Sequence, residues 1–196
     1  DSTNIVNGEF TIKGRAAKPT LRFLTLENQE NRDRTMVMVE PGMINITYDS
    51  TFHISGSALN EKFADFNRKQ REVNIKIRSL SDQYNEAMVD ETMSEELDAE
   101  LTSAYEKVAE EAKTLNYNFI KDNIDNELGQ YLFMTSSEMF DAEQQKEILE
   151  MTREDYKAKK NIKRIVDRLE ASEAVAIGNK FVDFTMKNPE GEYVSL

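Results

Sequence analysis

The stretch from Ser57 to Glu91 constrains this chain more than any other, because a single spacing runs through it from end to end. Leu59, Phe63, Phe66, Gln70, Val73, Ile77, Leu80, Tyr84 and Ala87 alternate steps of four and three, and all but Gln70 are apolar or aromatic. Such a stripe is a heptad seam along one side of an α-helix. The residues between are dominated by Lys, Arg, Asn, Glu and Asp, with no Gly or Pro, so helix propensity agrees with the pattern. Ser57, directly after Gly56, suits an N-cap. At 1.5 Å per residue the helix would run to roughly 50 Å, longer than a small domain is wide, so it needs a partner along its length.

The sequence supplies that partner at once. After the polar break Asp90 to Ser94, the residues Leu97, Leu101, Ala104, Val108, Ala112, Leu115 and Phe119 again fall three or four apart. Thr92 with Glu95 has the pattern of a capping box. A short connection between two such helices predicts an antiparallel helical hairpin whose seams bury one another.

Before the hairpin the period changes from helical to alternating. "GEFTIKG" puts Phe10 and Ile12 on one face; "TLRFLTLE", "RTMVMVE", "MINITY" and Thr51 to Ser55 are rich in β-branched, aromatic or Met residues. Asn7-Gly8, Gly14, the charged stretch Glu27 to Arg34 and Pro41-Gly42 punctuate them at hairpin-like intervals, which predicts an antiparallel β unit over residues 1–56. "TLRFLTLE" is apolar on both faces, as expected of a strand covered on two sides, with the helices as candidate cover.

Beyond Asn116 the helical pattern breaks into shorter pieces. A stop and restart is expected around Asn123 to Asn126, followed by an apolar cluster of Leu128, Tyr131, Leu132 and Phe133. Asp141 with Gln144 forms a box that opens "AEQQKEILEM", and Thr152 is expected to open a further helix buried through Tyr156, Ile162, Ile165, Val166 and Leu169. From residue 172 the alternation returns in Phe181, Val182, Phe184 and Met186, then the turn Asn188-Pro189-Glu190-Gly191, then Tyr193 and Val194.

Those last residues carry a resemblance. "AIGNKFVDFTMKNPEGEYVSL", through Gly178, Asp183-Phe184, Gly191 and Val194-Ser195-Leu196, resembles the entry hairpin of thioredoxin-like domains of the TlpA/ResA and AhpC/TSA type. Upstream, "DSTNIVNGEFTIKG" (Asp1 to Gly14), Pro19 and "ISGSALNEKFADFN" (Ile54 to Asn67) resemble the N-terminal domain of unknown function that precedes it in envelope thiol-disulfide oxidoreductases of Gram-negative bacteria. The resemblance implies an α+β accessory domain over residues 1–171, its β portion spanning residues 1–56 and its helical portion residues 57–171. A thioredoxin-like domain would begin at 172–196, with its Cys-x-x-Cys beyond Leu196, both ends would be truncated, and the setting would be the periplasm or cell envelope. The implied partner is the downstream thioredoxin-like domain, with homo-oligomerisation as a further expectation.

Composition narrows the chemistry. A net charge of -12 disfavours nucleic acid and anionic membrane surfaces as partners. No apolar run is long enough to span a membrane as a helix. Without Cys the chain holds no disulfide and no thiolate. His53 is the sole histidine, too few for a multi-His metal site, and reads as a packed or edge-exposed strand residue. Between Asp82 and Glu111 eleven residues are acidic and one, Lys107, is basic. Neither this run nor Asp122 to Glu127 has the alternating ligands and turn Gly of a calcium loop. A solvated face is expected, with the cations of Arg153 to Arg168 as a candidate counterpart. Asn45-Ile46-Thr47 fits a glycosylation acceptor in form, but it falls in a short strand expected to be buried. No catalytic, cofactor-binding or metal-binding residue is nominated, and no cofactor. Three functions stay open: an accessory domain that positions, dimerises or gives substrate access to a redox domain; a binding module without redox activity that captures a peptide or lipid in a groove between sheet and helices; and, weakest, an enzyme acting through carboxylates.

Overall fold

A computed structural model describes residues 2–27, 32–174 and 185–195. Asp1, Gly178, Phe181, Val182, Asp183, Phe184 and Leu196, used in the sequence reading, lie outside the described residues. The chain divides into two compact units, Asp1–Thr135 and Ser136–Leu196.

The first unit carries β1 (Thr20–Glu27), β2 (Arg32–Val39), β3 (Asn45–Tyr48), β4 (Phe52–Ser55), α1 (Ala58–Val89), α2 (Glu95–Asn123) and α3 (Glu127–Ser136). β1 pairs antiparallel with β2, with Leu21 opposite Met38 and Phe23 opposite Met36, and β3 pairs with β4, with Thr47 opposite His53. These are separate two-stranded ribbons, not one sheet. The strand expected at "GEFTIKG" is absent: Asn7 and Gly8, both at positive φ, turn the chain so that Val6 and Glu9 bridge each other, and the residues beyond form no strand. A single strand gains nothing from its extended shape without a partner for its amides.

β1 is half-buried on both faces, as its apolar pattern requires. Leu21 joins a core of Met38, Phe63, Phe66 and Leu128, while the Phe23 ring meets Tyr131 of α3 edge-on at 5.5 Å. The helices are therefore the cover. Phe66 stacks on Phe119 of α2 with centroids 4.1 Å apart, and this aromatic contact joins the bases of the two long helices. Burying such a side chain contributes about 1.5–3 kcal/mol.

The seam of α1 holds for most of its length and then opens. Phe63, Phe66, Val73 and Ala87 are buried and Leu59, Gln70, Ile77 and Leu80 are half-buried, but Tyr84 is 40% exposed. Near the hairpin's outer end only two helices meet, and two cylinders cannot enclose a large ring without a third layer.

Helix ends in this unit differ from the sequence reading in two places. Ser57 is the N-cap residue of α1, yet its Oγ accepts from the Asn60 side chain and from no helix amide. At α2 the cap is Ser94, whose Oγ accepts from Leu97 N at 3.1 Å; Thr92 instead donates its hydroxyl back to Ala87 O, so no Thr92–Glu95 box forms. Between α2 and α3 the expected stop and restart is present. Asn126 Oδ1 accepts from Leu128 N at 2.9 Å and Gly129 N at 3.3 Å and so caps α3. Gly129 lies so flat against the end of α2 that a Cβ there would come within 2.1 Å of Asn123 O.

The second unit carries a 3-10 turn (Ser137–Met139), α4 (Ala142–Glu150), α5 (Glu154–Lys157), α6 (Lys160–Ala174), β5 (Thr185–Lys187) and β6 (Tyr193–Ser195). Asp141 and Gln144 form the reciprocal capping box. Thr152 does not open the next helix; its hydroxyl closes the previous one on Leu149 O at 2.7 Å, and Arg153 takes the cap position. Tyr156, Ile162 and Leu169 are buried with Phe140, Ile148 and Leu149, whereas Ile165 and Val166 are half-buried. Buried Gln145 ties the core together by donating to Ser137 O and Phe140 O and accepting from Arg168. β5 and β6 pair antiparallel across the Asn188 to Gly191 turn, with Met186, Tyr193 and Val194 exposed.

Candidate functional site

Among the described residues of the first unit, three of the places that gather polar or aromatic side chains separate scaffold from site by their geometry. The first surrounds His53. Its Nε2 lies 2.9 Å from Asp49 Oδ1 and 3.3 Å from Thr51 Oγ1, in the tight β3–β4 turn where Ser50 sits at φ 91°. The composition is that of a hydroxyl, imidazole and carboxylate triad, but both contacts fall on the same ring nitrogen. A relay needs the carboxylate on one nitrogen and the nucleophile on the other. His53 is also well exposed, so nothing here excludes water. The cluster locks a turn. The hydrogen bond from His53, reinforced by its charge when protonated, holds the Asp49 carboxyl below the usual carboxylate range.

The second place is Asn60, which the sequence reading passed over. Its side chain accepts from Met38 N at 2.9 Å and donates to Met38 O at 2.7 Å and to Ser57 Oγ at 2.6 Å. A carboxamide presents the same donor and acceptor pair as a peptide group, so Asn60 completes the outer edge of β2 as a further strand would. On β1 the role is divided: the Glu127 carboxylate accepts from Leu21 N at 2.9 Å, and Arg22 donates to Leu21 O at 2.8 Å. The inner end of the ribbon thus has a helix side chain on each edge, Asn60 on β2 and Glu127 on β1. The only sequence signal for Asn60 is a polar residue beside the seam in the first turn of a helix that follows a strand.

The third place is a groove between α1 and α2 near the outer end of the hairpin. It is open to solvent, has a volume of about 330 Å³ and is lined by Leu80, Ser81, Tyr84 and Asn85 from α1 and Leu101, Thr102 and Tyr105 from α2. Leu101 is buried in its floor, while Tyr84 and Tyr105 stand 40% and 48% exposed. Its lining has no carboxylate, imidazole or amine, and the two phenols are its only titratable groups. The seam spacing placed Leu80, Tyr84 and Leu101 in the core; Ser81, Asn85, Thr102 and Tyr105 carried no signal.

Elsewhere the cations of Arg153 to Arg168 include Lys157 and Lys163, which pair with Glu154 and Asp167 on their own helices. Burial pushes the phenol of Tyr156 up, so that it stays neutral. Asn45, the first residue of β3, is exposed, and β3 is not the buried strand expected, since three of its four residues face solvent. Among the described residues no group of three His, Asp or Glu is placed to hold a metal ion, and no helix is long and apolar enough to cross a membrane.

Residues 1–63 match the family model described as Domain of unknown function (DUF4369). The match takes in all four N-terminal strands and the first residues of α1, including Asn60, and does not reach the thioredoxin-like resemblance at 172–196. No curated protein and no solved structure matches the chain.

Proposed function

We propose that this chain is a non-catalytic accessory domain of a bacterial envelope thiol-disulfide oxidoreductase, which positions or dimerises a thioredoxin-like domain that follows it. The observation that carries this reading is the family match over residues 1–63, on the stretch that resembles the accessory domain of such enzymes. Two further features support it. The chain has no Cys, so it has no thiolate to attack a disulfide. The β5–β6 hairpin leaves Met186, Tyr193 and Val194 exposed, although a lone two-stranded ribbon is marginal in water and gains stability from a larger sheet.

The test compares insulin reduction by this chain with that by the full product of its gene. The chain alone is expected to be inactive and the full product active through a Cys-x-x-Cys encoded within a few tens of residues after Leu196. A gene that runs on for a whole domain without that pair, or stops at once, overturns the redox reading. The second reading, a binding module without redox activity, then stands first; the groove that favours it lies between α1 and α2 and not between sheet and helices as expected.

A further inference from the structure

We propose that the outer groove of the α1–α2 hairpin docks a cationic amphipathic segment of another protein, which inserts an apolar side chain between Tyr84 and Tyr105 and sets Lys or Arg against the acidic flanks. The proposal rests on the hairpin alone and not on the redox reading.

The groove's own chemistry favours an apolar insertion. Leu80 and Leu101 form its floor and the two tyrosines its walls, in a volume of about 330 Å³ that suits one or two large side chains. Neither tyrosine meets another ring or has a hydrogen-bond partner among the described residues, and Tyr84 stands on a seam position where a ring would be expected to be covered. Large, stiff, half-exposed tyrosines carry contact area at little entropic cost, which is why they recur at binding hot spots.

Charge selects the occupant. From Asp82 to Glu111 there are eleven carboxylates against Lys107, and Lys76, just outside that run, takes up Glu111 at 2.8 Å. Asp82, Asp98 and Glu106, each within one helical turn of a groove residue, have no ion pair among the described residues. Arg78, one turn below Ser81, is the cation on this side of α1. A field of that sign repels anionic peptides and anionic lipid surfaces, and it steers a basic segment toward the groove. A Lys or Arg on that segment would also find the electron-rich faces of two tyrosines.

The probe is a short amidated peptide of Leu and Lys with Leu at helical i, i+3, i+4 spacing, labelled for fluorescence anisotropy. A Lys/Ser peptide without Leu and a Leu/Glu peptide serve as comparisons. The Leu/Lys peptide is expected to bind, to weaken at least tenfold between low and physiological salt, and to weaken about tenfold on the Tyr84→Ser/Tyr105→Ser double variant. Tyr193→Ser, an exposed tyrosine far along the chain, should bind as the parent does. Both groove tyrosines are exposed, so an unchanged circular dichroism spectrum is expected to certify the fold. Should it change, Asp98→Asn/Glu106→Gln replaces the double variant and must reduce the salt dependence. Equal binding of the Lys/Ser peptide, equal affinity of the double variant, or binding of the Leu/Glu peptide would each overturn the proposal. So would a dimer of the chain in sedimentation that the tyrosine variant abolishes, since the groove would then belong to a second copy.

Discussion

Asn60 does with one side chain what a neighbouring strand does with a peptide group, and because it is buried its loss leaves Met38 N and O without partners. Orphaned buried groups cost about 1–3 kcal/mol, so Asn60→Ala is expected to lower stability by that order in urea titration. Asn60→Asp, which keeps the acceptor but loses the donor, should cost as well. Gly129 is the second critical residue: Gly129→Ala drives a Cβ into the Asn123 carbonyl and should cost about 1–3 kcal/mol or more, as overpacking does, with the loss read in the same titration. Asp49 gives the pH prediction. Its carboxyl is held below its unfolded value of about 3.9 by the His53 hydrogen bond. A lowered folded value means that the pairing stabilises the fold above the unfolded value and is lost as the pH falls through the folded one. Carbon NMR titration should find the Asp49 midpoint below the ordinary range, and His53→Ala should bring it back up; equal midpoints in the two proteins would remove the pairing.

Helix α1 sorts its own residues by depth. Phe66, buried against Phe119, should cost about 3–5 kcal/mol on truncation to Ala, whereas half-buried Ile77 should cost less. Lys69, paired with Asp65 at the surface, should leave the denaturant midpoint where it was. If all three variants matched the parent, α1 would not be the organising element. The cap of α2 gives a sharper contrast, because Ser94→Ala removes the acceptor for Leu97 N and should cost about 0.5–2 kcal/mol, while Thr92→Ala should be the milder change. The existence and length of both helices were legible, since a period sustained over nine positions in α1 and seven in α2 has no other reading. Their caps were legible only in part: Thr92 and Ser94 are both good cappers two residues apart, and the chain's exit from α1 decides which one faces the free amides.

At the scale of the whole molecule, charge is the dominant variable. With net charge -12 and eleven carboxylates crowded into Asp82 to Glu111, self-repulsion opposes the folded hairpin. Added neutral salt is therefore expected to raise the melting temperature, and neutralising Asp98 and Glu106 with Asn and Gln should shrink that rise. A melting temperature that falls with salt would mean that the ion pairs along α1 outweigh the repulsion.

By itself the sequence determined the α+β class, the paired long helices, the β1 to β4 strands, the α2–α3 break and the Asp141 box, because periodicity, propensity and turn chemistry act between near neighbours. It also determined that this chain brings no thiolate. Only the tertiary structure decided that "GEFTIKG" joins neither ribbon, that Asn60 and Glu127 each take an edge of the β1–β2 ribbon, and that Tyr84 leaves the core for an open groove. Each of these depends on whether some distant part of the chain arrives to pair, cap or cover, and spacing along the sequence does not record which neighbours a residue finds in space.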